Sequence, residues 1–213
     1  MKTNDLISML ASGTIAVEPH ALQRRYAMAL GWGAFGATLL MAVCLGVRPD
    51  LAQAVGLPMF WVKLAFPATL LAGALMATLR LSRPGARLAH VPMVMVAPVL
   101  AIWLLAIVVL MRAAPAAREA LVFGVSSGVC SLYIAGVSAP AFVALMWAMK
   151  GVAPTRLALA GAAAGLLSGA LGALVYALHC PEMTAPFLGI WYLLGVLIPA
   201  AVGALVGPLL LRW

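Results

Sequence analysis

Acidic side chains are scarce in this sequence: 5 Asp and Glu stand against 13 Lys and Arg in 213 residues. Charge of either sign amounts to 8% of the chain, where a soluble domain carries about 25%. A chain so short of charge, and 66% hydrophobic, has too little polar surface to close a water-soluble core. Its mean hydropathy of +1.14 points the same way. It reads as a polytopic membrane protein. The shortage of carboxylates excludes function classes as well. No pair is placed for acid–base chemistry, no nucleophile adjoins a base, and no glycine loop suits a phosphate, so neither catalysis nor a cofactor is expected. The three cysteines form no C-x-x-C and show no zinc-ligand spacing, which disfavours a thiol oxidoreductase, a zinc fold and a disulfide scaffold. The pI near 10.1 does not signal nucleic-acid binding, because the positive charges sit at helix ends, where membrane topology places them.

What is present is a series of apolar runs. Six spans are expected at about 26–47, 59–79, 93–111, 121–149, 157–178 and 187–211, since an α-helix needs ~20 residues to cross ~30 Å of hydrocarbon. The first run is too long for a signal-peptide core and lacks a cleavage site, so it is expected to remain as a helix. With the N-terminus inside, Lys2, Arg24, Arg25, Arg80, Arg83, Arg87, Lys150, Arg156 and Arg212 lie on the cytoplasmic side. Arg48, Arg112 and Arg118 lie on the other. This bias predicts an all-α six-helix bundle with both termini cytoplasmic. Trp61 and Trp191 then fall at the outer interface and Trp147 and Trp213 at the inner one, with Trp103 deeper than either belt. Gly161, Gly165 and Gly169 recur every fourth residue and predict close helix packing. Residues 1–25 form a cytoplasmic segment ahead of the transmembrane domain, 26–213. Thr3 or Asn4 can cap a short helix there, with Asp5 in its first turn and Leu6, Ile7 and Leu10 on one face. The segment suits either the headgroup layer or a cytosolic partner.

Lys63 is the one ionisable residue clearly inside a span, and such a charge is a functional candidate by default. It sits near the outer end of its helix beside Trp61, so it is expected to snorkel to the headgroups. On that reading Lys63→Met leaves a regulator working and disables a small transporter or channel, the rival function. A transporter also wants a polar lining at mid-membrane, and the spans supply almost none.

The stretch from Leu178 to Trp191, L-H-C-P-E-M-T-A-P-F-L-G-I-W, brings a cysteine, a histidine and a carboxylate together between two long apolar runs. The fourth span, some 29 residues, would rise about 43 Å, more than the hydrocarbon requires. Counting back from Trp147 and Lys150 puts its outer hydrocarbon edge near Cys130, with Gly124, Ser126, Ser127 and Gly128 in the interface; strong tilt would bury Cys130 instead. Cys180 ends the fifth span and Cys44 lies one turn before Arg48, so all three thiols are expected at one outer level, facing an oxidising compartment. Cys180 thus has two possible partners, Cys130 and Cys44, with His179 and Glu182 beside it in sequence. A soft-metal site built on Cys130 and Cys180 with His179 is the weaker alternative.

The stretch C-P-E-M-T-A-P-F at Cys180 to Phe187, followed by I-W-Y-L-L-G at Ile190 to Gly195, resembles the NrsF family. So do the opening M-K-T-N-D-L-I, the Arg24–Arg25 pair and the terminal L-R-W. The resemblance runs the length of the chain, and C-P-E-M is its most specific motif. It implies a six-helix inner-membrane protein of a bacterium that holds an extracytoplasmic-function (ECF) sigma factor and releases it under stress, either oxidant or heavy metal. The family's two cysteines match Cys130 and Cys180, which implies that they matter to release; Cys44 is additional. The implied partner is a sigma factor at the cytoplasmic face, with no direct contact to DNA. Asp5, Leu6, Ile7, Leu10, Arg24 and Arg25 are the expected contact residues, aided by the Arg80–His90 and Lys150–Arg156 loops.

Overall fold

The computed structural model describes residues 3–12, 20–83, 85–152 and 154–212, all of them helix, turn or loop, with no strand among them. The helices in chain order are α1 (Thr3–Ser12), α2 (Ala21–Cys44), α3 (Leu51–Ala54), α4 (Pro58–Leu81), α5 (Val91–Arg112), α6 (Pro115–Phe123), α7 (Ser127–Val137), α8 (Ala139–Lys150), α9 (Leu157–Tyr176), α10 (Ala185–Phe187) and α11 (Leu193–Leu210). A single π-helical turn, Leu188–Tyr192, joins α10 to α11. Six segments are long and apolar enough to cross a membrane, with α6–α8 together making the fourth and α10 to α11 the sixth. The protein is a multi-pass membrane helical bundle.

The centre of the bundle is α9. Its small residues let other backbones approach: a Cβ on Gly161 would strike the Gly203 carbonyl, and one on Gly165 the Pro199 carbonyl. On another face of α9, a Cβ at Gly172 would stand 2.8 Å from the Ser138 side chain and 2.9 Å from the Ile134 carbonyl. Thus α9 lies pressed between α11 and the α7–α8 pair, and the four-residue glycine spacing serves close packing as expected. By contrast α5 leaves most of its apolar side chains exposed, including Met93, Leu100, Leu104 and Met111. In a bilayer those side chains meet lipid, so their exposure carries no penalty.

The excess length of the fourth span has a structural answer: it breaks twice. Gly124 takes a φ of +52° and ends α6, a left-handed value that L residues adopt rarely. At Ser138 the chain turns between α7 and α8, just ahead of Pro140. Cys130 then lies in the first turn of α7.

Cross-bonds at one end of the bundle join the α2–α3 loop, α4, the α6–α7 turn and the loop after α9; this is the thiol end. At the opposite end the Tyr26 hydroxyl pairs with Ser82 Oγ at 2.7 Å. There Arg25 donates to the Trp147 carbonyl and its guanidinium lies 5.3 Å from the Trp147 ring.

Candidate thiol site

Residues 177–184 leave helical geometry and carry the C-P-E-M sequence. Pro181 has no N–H to continue a helix, so the carbonyls of this loop need outside donors. Donors reach them from the α2–α3 loop and from α4, and the loop's own side chains bond the α2–α3 loop, α6 and the turn after α6. Arg48 receives the chain at Leu178, where its own N–H donates to the Leu178 carbonyl at 3.1 Å. His179 Nδ1 lies 2.8 Å from the Gly46 carbonyl. Glu182 Oε1 accepts from the Val125 N–H at 2.7 Å, and its carboxylate fills the space that a side chain at Gly124 would need. Thr184 donates to the Leu121 carbonyl at 2.7 Å and the Trp191 indole to the Val122 carbonyl at 2.9 Å. The π-helical turn is held similarly, with Trp103 donating to Gly189 at 2.9 Å and Ser131 to Trp191 at 2.8 Å. Trp103 sits deep because its indole N–H is used there, off both aromatic belts.

Inside this frame Cys130 and Cys180 meet. Both are fully buried and both are thiols. The Cys130 and Cys180 thiols share a hydrogen bond, and the Tyr176 hydroxyl donates to Cys130. The Cys180 sulfur also takes the Glu182 backbone N–H and faces the Tyr192 hydroxyl, which has no other partner. The hydrogen bond shared with Cys130 and the nearby Lys63 ammonium act against burial to hold the Cys180 thiol below its ordinary range.

Tertiary packing seals the pair among Tyr176, Phe187, Leu188 and Tyr192. Cys44, at the end of α2, is exposed instead. The structure corrects the expectation for Lys63, which does not snorkel. It is wholly buried, and its Nζ donates to the Cys180 carbonyl at 2.5 Å and the Glu182 carbonyl at 2.8 Å. Its ammonium also stands 5.5 Å from the Tyr192 ring centre. A buried ammonium is costly unless paired and hydrogen-bonded, and two carbonyls released by the broken helix supply that need. Arg48 reaches the same Cys180 carbonyl at 3.2 Å. Its other donors form a two-point pair with Asp50 at 2.7 and 2.6 Å. That pairing raises the Arg48 guanidinium and lowers the Asp50 carboxyl from their ordinary ranges.

His179 and Glu182 therefore anchor the loop to its neighbours. Among the described residues no three His, Cys, Asp or Glu side chains gather as a metal-binding group. Sequence reasoning singled out Lys63 but aimed it outward, and it missed Arg48, Tyr176 and Tyr192 as neighbours of the thiols. The available signal was a lysine in the same end-layer as a cysteine loop.

At the N-terminus, Asp5 and Ile7 are exposed on α1, while the Leu6 and Leu10 side chains lie outside the described residues. Arg24 is exposed. Arg25 turns inward against Trp147, its guanidinium occupying the space beside Gly151 in the α8–α9 loop.

Residues 10–213 match the family model described as "Negative regulator of sigma F", NrsF. A curated relative named "Probable anti-sigma-F factor NrsF", from Azospira oryzae, is 57% identical over 213 residues, all of both chains. Another, "Anti-sigma-F factor NrsF" from Caulobacter vibrioides, is 40% identical over the whole of both chains. No solved structure matches.

Proposed function

The chain belongs to the NrsF family, and from that premise we propose that it is a membrane-bound anti-sigma factor. It holds a sigma factor of the ECF class at the cytoplasmic face of a bacterial inner membrane and releases it on stress. The observation that carries the tethering role is 57% identity across the full length to a relative named as a probable anti-sigma-F factor. Both termini lie in the cytoplasm, which the clustering of Lys and Arg supports. Reporter fusions at Ser12 and Ala117 should report opposite compartments; the same compartment at both would overturn this topology. Partner contact falls to α1 and the segment before α2, through Asp5, Leu6, Ile7, Leu10 and Arg24, with Arg25 linking them to the bundle. Deleting residues 2–12 from stably inserted protein should abolish co-purification of the sigma factor. Intact binding would move the contact to the cytoplasmic loops.

The signal enters at Cys130 and Cys180. Support comes from their burial together at the junction of α7 with the loop after α9. A buried ammonium beside the pair favours a two-electron oxidant over a metal cation, which it repels. Oxidation changes how α7 and α9 pack, and the α8–α9 loop at the far end of the same two rods meets Arg25. An effector shifts two packing states only by its differential affinity, typically about 1–3 kcal/mol, so graded release is expected. The test is thiol trapping in cells with and without oxidant or soft metal, alongside sigma-dependent transcription in Cys130→Ser, Cys180→Ser and double-serine strains. A normal stress response in the double-serine strain would defeat the sensor and leave the tether standing.

A further inference from the structure

The two thiols are not equivalent, and a buried cation distinguishes them. The two sulfurs share a hydrogen bond; Cys130 also meets the Tyr176 hydroxyl, whereas the Cys180 sulfur has the Glu182 N–H and faces the Tyr192 hydroxyl. Two cations from separate elements, Lys63 of α4 and Arg48 of the α2–α3 loop, converge on the carbonyl of Cys180 itself. The nearby carboxylates are engaged elsewhere: Glu182 bonds the Val125 N–H and Asp50 neutralises Arg48. His179 gives its Nδ1 to Gly46. Among the described residues Lys63 forms no ion pair with a carboxylate, and its charge acts on the thiols through a sealed medium in which Coulomb forces are weakly screened.

We propose that Lys63 is a positioning residue of the thiol pair: it holds the Cys180 loop against α4 and sets Cys180 as the sulfur that meets a hydroperoxide first, with Cys130 resolving. This rests on the oxidant-sensing reading above. In the first step the Cys180 thiolate attacks the O–O bond; an S–O bond forms, O–O breaks, and the leaving oxygen takes a proton as water or alcohol. In the second step Cys130 sulfur attacks the Cys180 sulfenic sulfur; S–S forms, S–O breaks, and the departing hydroxide leaves with the Cys130 proton as water. The sulfurs lose two electrons and the hydroperoxide gains them. The thiolate is the nucleophile in such exchanges, so the sulfur of the residue whose own carbonyl Lys63 and Arg48 hold leads.

The test uses full-length protein in lipid nanodiscs and hydrogen peroxide. Disulfide formation is followed by mass spectrometry across pH for the wild type, Lys63→Met and Lys63→Arg. Lys63→Met is expected to move the pH midpoint of the rate upward by about one unit or more, so that oxidation at neutral pH slows roughly tenfold. Lys63→Arg, keeping the charge, is expected to restore most of it. A merely structural lysine would change the rate without moving its midpoint, and a folded Lys63→Met protein with the wild-type pH profile overturns the proposal. A second measurement does not depend on that variant folding. A dione probe for sulfenic acid should label Cys180 in Cys130→Ser and leave Cys130 unlabelled in Cys180→Ser; the reverse pattern overturns the assigned order. Failure of the sensor reading itself looks different: the double-serine strain would respond normally whatever these rates are.

Discussion

The two ends of this bundle are built on opposite plans. At the thiol end, cations are buried and spent on backbone: Lys63 and Arg48 both serve the Cys180 carbonyl. Most bonds there run from a side chain on one element to a carbonyl or N–H on another. At the opposite end Arg24, Arg83, Arg87 and Lys150 are exposed, and among the described residues the links between elements are Tyr26 with Ser82, Arg25 with Trp147 and Arg80 with the loop before α5. One end is sealed and internally satisfied, suited to small molecules that react with it. The other presents unspent positive charge, suited to a macromolecular partner. Between them α9 runs as a rod, clamped by α11 along its glycines.

Changes to that rod should have the largest effect. Gly161→Leu drives a side chain into the Gly203 backbone, where nothing flexible can move aside. Overpacking typically costs about 1–3 kcal/mol and more when backbone is struck, so little folded protein is expected in membranes by immunoblot and size exclusion. Gly136→Ala, which meets nothing within 4 Å, serves as the tolerated control.

Arg48→Gln comes next. It leaves the Cys180 carbonyl with one donor fewer and is expected to cost about 1–3 kcal/mol by the loss of a charged hydrogen bond in a buried site. Thermal unfolding in detergent would measure this, and thiol accessibility to a maleimide should rise with it. An Arg48→Gln protein as stable and sealed as the wild type would break the contrast between the ends.

At the other end, Tyr26→Phe removes a hydroxyl whose partner Ser82 retains the Thr78 carbonyl. A loss of about 0.5–1.5 kcal/mol is expected. Accessibility of the thiols should stay unchanged, which sharpens the comparison: stability falls, the thiol site does not open.

The smallest effect is that of acid on the Arg48–Asp50 pair. Asp50 is lowered by its bond to Arg48, so its contribution is present above the ordinary carboxylate range and is lost as pH falls through the lowered value. Melting temperature in Asp50→Asn should therefore lie slightly below the wild type at neutral pH, with the difference closing as the pH falls and the acid-side slope lost.

Some of this was legible beforehand. Hydropathy and run length mark six spans because the hydrocarbon thickness fixes how many residues each requires. The C-P-E-M loop stood out because polar residues between apolar runs have no reason to be there unless used. The glycine spacing on α9 announced close packing, because only small residues permit it.

Which way the side chains face was decided by the tertiary structure alone. Helices in a membrane are apolar on most sides, so no polar face reveals which stripe turns inward. Lys63 is the clearest case. Its place near a helix end fits snorkelling equally well, and only the arrival of two unpaired carbonyls from the loop after α9 makes the interior the better solvent for its charge. The seating of Cys130 beside Cys180 has the same origin. Their separation along the chain is large, and the break at Gly124 together with the turn after Tyr176 brings them into one sealed layer.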